Sequence, residues 1–185
     1  GYATDFVKQL APLLDQIKKK NIKVISNAGG INLNGCRNAL LNEAEKAKID
    51  LKIAIVTGDD LMKKLPKLIE LGIKETETNE PLPDSCLSVN AYLGAPGIVT
   101  ALGQGADIVI TGRCVDSAMV LAPLMYEFDW SEIDYDLLSA GSLAGHIIEC
   151  GAQCTGGNFT DWKMVDGFDD MGFPIVEVKP NGDFI

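Results

Sequence analysis

An α/β fold is predicted: a layered structure with a mainly parallel sheet flanked by helices, and a strand or hairpin at the C-terminal end. Three observations predict it. Short apolar runs at 22–26, 52–57 and 107–111 are continuous rather than alternating, as in strands buried on both faces of a parallel sheet. Segments with helical periodicity separate the runs. Each run ends in a small polar residue and a glycine, the usual exit from a parallel strand into a turn. Part of an opened barrel is the alternative architecture with the same pattern.

The elements follow in order. TDFVKQLAPLLDQIKKK, residues 4–20, spaces Phe6, Val7, Leu10, Leu13, Leu14 and Ile17 at helical intervals. Its lysines gather in the last turn, where they suit the helix dipole. The strand at 22–26 comes next. Asn34 is then placed to cap a helix over roughly 35–48. After the strand at 52–57 a helix follows, in which Pro66 interrupts or begins a turn. Residues 74–88 have mixed polarity and two prolines and read as a long surface loop. Pro96 suits a first helical turn, and the glycines after it suit a helix end. Following the strand at 107–111, CVDSAMVLAPLMYEF reads as a helix. DYDLLSAGSLAGHIIECG reads as another, starting at Asp134 or Asp136. PIVEVKPNGDFI reads as a strand, an Asn-Gly turn and the start of a returning strand. That incomplete hairpin leads us to expect a piece of a longer chain, with residues 1–185 forming a single α/β domain.

Composition bounds the function. The chain has 185 residues, 46% hydrophobic and 23% charged, the balance of a globular protein with a sizeable core. A net charge of −10 argues against nucleic acid or an anionic membrane as the main partner. A local pocket can still differ in sign and take an anion. No apolar run of about 18 residues is present, so no transmembrane helix is expected, and no signal peptide is visible. The five cysteines, at 36, 86, 114, 150 and 154, are odd in number and scattered. Such a pattern favours reduced thiols in the cytoplasm or an organelle matrix over a disulfide framework. With one histidine and only Cys150 and Cys154 close together, no metal site is predicted.

The strand ends carry the first functional signal. VISNAGGIN, IAIVTGDD and IVITGRCVD share one character, and in open parallel sheets ligands sit outside the carboxyl ends of the strands. Parallel pairing would set Asn27, Asn32, Asp59, Asp60, Arg113 and Asp116 along one edge. Glycine there lets the backbone approach a ligand, and a following helix start offers N–H groups to an anion. The structural alternative is that the aspartates cap helices and Arg113 pairs with one of them. Neither G-x-G-x-x-G nor a P-loop is present, so no nucleotide cofactor is predicted.

A second signal is AGHIIECGAQCTGGNFTDW, residues 144–162. His146 and Cys150 lie four apart, on one helix face, and a Cys–His pair can generate a thiolate nucleophile. Gly141 and Gly145 instead suggest a helix packed closely on another element. A buried, inert Cys150 then follows. Glycines 151, 156 and 157 would end the helix and shape a loop. His146 remains the proton-transfer candidate by type.

The stretches ISNAGGIN, IAIVTGDD, NAYLGAPGIVTAL, GADIVITGRCVDSAMVLAPLM and AGHIIECGAQCTGGNFTDW, together and in this order, resemble the acyclic terpene utilisation (AtuA-like) family. The resemblance implies a role in catabolism of acyclic terpenes and related branched acids, alongside biotin-dependent acyl-CoA carboxylases and hydratases. Family members carry a glycine-rich segment before this region and more sheet after it, which again implies a fragment. Matched positions are Asn27, Gly29, Gly30, Asn32, Asp59, Arg113, Asp116, His146, Cys150, Gly151, Gln153, Gly156 and Gly157. Cys114 and Cys154 fall where an aliphatic residue is expected, which weakens a C-x3-C metal reading further.

Two functions follow as expectations. The first is a catabolic enzyme domain acting on a small branched-chain or terpenoid carboxylic acid, or its coenzyme A thioester as substrate. His146, Asp59 and Asp116 would act as catalytic groups. Asn27, Gly29, Gly30, Asn32, Arg113, Gln153, Gly156 and Gly157 would bind substrate, Arg113 by paired hydrogen bonds to a carboxylate. The alternative is a non-catalytic scaffold or docking subunit of an acyl-CoA carboxylase-type complex. A homo-oligomer is compatible with both.

Overall fold

The computed structural model describes residues 1–185, which form two compact units. One comprises Gly1–Leu93 and Gly105–Cys114, the other Gly94–Gln104 and Val115–Ile185.

The first unit holds the sheet. Strands β1 (Val24–Ser26), β2 (Ile53–Val56) and β3 (Ile108–Thr111) are all parallel, in the order β1-β3-β2. Val24 and Ile53 both register on Ile108, and Val56 on Thr111. The expected α/β layout with parallel, neighbouring strands is therefore present, and the sheet is open rather than closed into a barrel. β1 and β2 are shorter than their expected runs, with Ile22 and Thr57 at the margins in solvent, and β3 begins one residue late, after the buried Asp107.

Alternation decides what the sheet buries. Val24, Ile53, Ile55, Ile108 and Ile110 share one face and join a core with Val7, Leu10, Leu14, Ile17, Leu40 and Ala44. Those partners lie on α1 (Thr4–Leu10), α2 (Leu14–Lys19) and α3 (Leu33–Ala47). Leu14 and Leu40 are fully buried, each worth about 1.5–3 kcal/mol of transfer free energy. The helix expected over 4–20 is broken by a 3-10 turn at Ala11–Leu13, because Pro12 has no N–H to continue the ladder. Pro66 behaves as expected, beginning α4 (Leu65–Glu70) after a 3-10 turn at Met62–Lys64.

One cap is corrected. Asn32, not Asn34, caps α3: its Oδ1 accepts the Gly35 N–H at 3.0 Å, and its φ of −143° is non-helical. Asn34 already lies inside the first turn, where a side chain has no cap to make.

At the amino end of the sheet, Asp107 is nearly buried just before β3. Its Oδ2 accepts the Lys52 N–H at 2.9 Å and Lys18 Nζ at 3.1 Å, and Lys23 Nζ lies 3.6 Å from Oδ1. Burial pushes its pKa up. The Lys52 N–H, the Lys18 hydrogen bond and the two lysine charges outweigh that and hold the carboxyl below its ordinary value.

The second unit is helical. Helix α6 (Ala118–Phe128) packs on α5 (Pro96–Gly103) and on α7 (Tyr135–Glu149). Close packing at Gly141 and Gly145 is present as expected. A Cβ at 145 would lie 2.8 Å from Ser117 Cα, and one at 141 would lie 2.7 Å from Leu121 Cδ1. Beyond α7 come short 3-10 turns at Gly151–Gln153, Trp162–Met164 and Phe168–Asp170. The C-terminal hairpin then forms around Lys179–Gly182, with reciprocal backbone bonds between Glu177 and Ile185. Trp130 is buried, and its Nε1 donates to Pro180 O at 2.9 Å, fastening that hairpin to the helices. No helix of the chain is long and apolar enough to cross a membrane.

Candidate functional site

With β3 central, the three strand-end turns stand side by side: 27–32 after β1, 111–114 after β3, 57–60 after β2. Contact between them is close enough to demand glycine. A Cβ at Gly29 would sit 2.7 Å from Thr111 O, and one at Gly112 would overlap the Asp59 carboxylate, whose Cγ is 2.7 Å away. Gly58, at φ +122°, turns the chain so that Asp59 points back under the edge.

Asp59 is 3% exposed. Its Oδ2 accepts the Arg113 N–H at 2.8 Å and Asn90 Nδ2 at 3.4 Å, while its backbone oxygen accepts the Ala91 N–H at 2.8 Å. Leu61 N–H donates to Val89 O, and Leu93 N–H to Arg113 O. Residues 89–93 are thus stitched between the turns after β2 and β3. The chain before them, 74–88, is the exposed irregular loop that its composition predicts, crossed by one bridge between Lys74 and Pro81.

This stitching builds the rim of a cleft of about 280 Å³ lined by Asn27, Gly30, Ile31, Asn90, Gly112 and Arg113. Arg113 is exposed, forms no ion pair, and its guanidinium carbon lies 5.7 Å from the Tyr92 ring centroid. The aromatic face orients the cation without neutralising it. Asn27 and Arg113 therefore meet in one cleft. Asp59 lies beneath it and lines an adjoining cavity of about 600 Å³ with Gly58, Asp60, Met62, Leu87 and others. Asn32 also lines that cavity, its Oδ1 engaged as the α3 cap. Asp60 Oδ1 caps the turn at Met62 through its N–H at 2.9 Å.

Asn90 and Tyr92 have no counterpart among the residues singled out from sequence. Their segment, NAYLG, carries no periodicity and adjoins a long loop. Its exposed aromatic beside an asparagine is a signal only once the pairing to Asp59 and Arg113 is known.

The remaining sequence candidates belong to the second unit. Asp116 and His146 are exposed, His146 in the last turn of α7. Gln153, Gly156 and Gly157 lie in the turn-rich segment after α7, where Gly157 N–H donates to Ala152 O at 2.7 Å. Helix α7 ends at Glu149, two residues before Gly151 with φ +51°. Cys150 departs from the burial expected of it: it is exposed, like His146 one turn before it, on the side of α7 opposite Gly141 and Gly145. Its Sγ donates to Glu149 Oε1 at 3.2 Å. That bond favours the thiol form, and with slight desolvation and the charges of Glu149, Cys154 and Asp116 it raises the thiol pKa. A thiolate nucleophile is disfavoured there. None of the five cysteines forms a disulfide, and no group of three or more His, Cys, Asp or Glu side chains is placed to hold a metal ion.

An open parallel sheet with a cleft at its carboxyl edge defines an α/β protein with a candidate ligand site in the position such sheets favour. More particularly, the family model described as "Acyclic terpene utilisation family protein AtuA" matches residues 1–185. The chain belongs to that family, whose role is catabolic, in acyclic terpene utilisation. No curated protein and no solved structure matches it.

Proposed function

We propose that this chain is a catabolic enzyme domain whose sheet-edge cleft binds a small branched-chain or terpenoid carboxylic acid, or the coenzyme A thioester of one. The observation that carries this reading is Arg113. A cation with no ion pair, oriented by Tyr92 and flanked by Asn27 and Asn90, is suited to a planar carboxylate. Gly29 and Gly30 would let the backbone approach the ligand. Asp59 acts as a positioning residue, holding the Arg113 turn through its N–H. Within the second unit, the exposed Asp116 and His146 are of a type suited to proton transfer, and Gln153, Gly156 and Gly157 shape the turn after α7. The scattered cysteines support a reducing compartment, cytoplasm or organelle matrix.

The test is binding of 3-methylbutanoate to Arg113→Lys. Lysine keeps the charge and loses the planar fork. We expect affinity to fall about tenfold, the loss of roughly one charge-assisted bond, while thermal stability stays unchanged. Unchanged affinity, or loss of stability instead, would make Arg113 structural.

A second reading, a docking subunit of a carboxylase-type complex or a homo-oligomer, is favoured by one observation. Met164, Phe173 and Ile175 of the second unit are 85%, 73% and 87% exposed, apolar area that a partner surface would cover. Size-exclusion with light scattering distinguishes it.

A further inference from the structure

We infer that Ile31 and Leu87 are the residues that select the aliphatic chain of the acid held at Arg113. The inference rests on the carboxylate reading above and extends it to the rest of the ligand. The small cleft at Arg113 and the larger cavity beside Asp59 are continuous in their lining: Gly30, Ile31 and Asn90 belong to both. The larger space, about 600 Å³, exceeds what a carboxylate head requires and lies within the size range of small-molecule sites.

Its walls combine exposed and half-buried aliphatic side chains. Ile31 is 77% exposed and Leu87 fully exposed, yet both line this one cavity, with Met62 and Leu33 partly buried in the same lining. Large aliphatic side chains held in water are unfavourable by the area they leave uncovered. A hydrocarbon chain leading from Arg113 past Gly30 would cover them. The carboxylates of that lining are already engaged, Asp60 with the Met62 N–H and Asp59 with the Arg113 N–H and Asn90, as is Asn32 with the Gly35 N–H; Lys63, Asn34, Thr57 and Ser88 complete its polar part. The geometry therefore assigns the acid group to the Arg113 end and the chain to the Ile31–Leu87 end.

The experiment is an NMR-monitored titration of the chain with straight carboxylates from acetate to decanoate. Affinity should rise about fourfold per methylene over part of the series, the fold-change of one buried CH2. In Ile31→Ser/Leu87→Ser the rise should flatten, so that octanoate binds that variant no more tightly than acetate binds the same variant. Both side chains are exposed, and a circular-dichroism melt matching the parent shows that the fold is kept. A flat series in the parent, with acetate binding lost in Arg113→Met, would overturn the chain assignment and leave the carboxylate reading standing. A steep series retained by the double variant would overturn it too, since the chain would then lie elsewhere. If no carboxylate binds the parent, both readings fall. If the double variant instead lowers a concentration-dependent mass of the unliganded protein, the pair serves an interface between copies and the inference is wrong.

Discussion

The two ends of the sheet each bury an aspartate, and they use it differently. At the amino end, Asp107 collects Lys18, Lys23 and the Lys52 N–H, so its charge is answered on the spot. At the carboxyl end, Asp59 takes only N–H donors, from the Arg113 backbone and the Asn90 amide. The nearby guanidinium is left over the Tyr92 ring, facing the cleft. One end is closed electrostatically. The other spends its anion on shape and leaves its cation available. The difference teaches where to look for binding in such a sheet: not at the buried charge, but at the opposite charge which that buried group positions without pairing.

The comparison breaks first at Gly112. Valine there would drive its Cβ into the Asp59 carboxylate, so Gly112→Val should lower stability by about 3 kcal/mol, the upper range for overpacking. Urea midpoints would show it, and a shift within experimental error would mean that the turn is not clamped. Next comes Asp107→Asn, with an expected loss of about 2 kcal/mol at neutral pH from a weakened charged hydrogen-bond network. The sign of its pH dependence follows from the lowered native pKa. Asp107 stabilises fully above the unfolded carboxyl value, near 4, and that contribution disappears as pH falls through the lower native value. The parent should thus lose stability below about pH 5 more steeply than Asp107→Asn; parallel curves would contradict the assignment. The smallest effect sharpens the picture at the start of α3. Asn32→Ala should cost about 1 kcal/mol as a lost cap, and Asn34→Ala only a few tenths. Equal losses in the two variants would mean that the cap is not fixed on Asn32.

Much of this architecture is legible without coordinates, for a physical reason. Continuous apolarity marks all three strands, but only the central β3 is buried throughout, and the edge strands β1 and β2 are half-buried. Gly141 and Gly145 likewise mark the α6–α7 contact, because only close packing rewards two glycines in one helix. Legibility fails where the cause lies far along the chain. Asp107 meets Lys18 across 89 positions, and Asn90 meets Asp59 across 31. Neither pairing leaves a local pattern. It fails also where two residues are chemically equal: Asn32 and Asn34 can each cap, and only backbone dihedrals choose between them. Cys150 differs from expectation because it continues the exposed face of Leu143 and His146, while Gly141, Ala144 and Gly145 carry the packed one.

The bond from Trp130 to Pro180 has an optical consequence. The chain has two tryptophans, one buried and donating to the hairpin carbonyl, the other, Trp162, half in solvent beside Phe168 and Lys163. Their emission should separate by environment, blue-shifted for Trp130 and red-shifted for Trp162. With Trp162 replaced by phenylalanine, the fluorescence that remains becomes a gauge of one event, the peeling of residues 177–185 from the helices, readable in real time without any label.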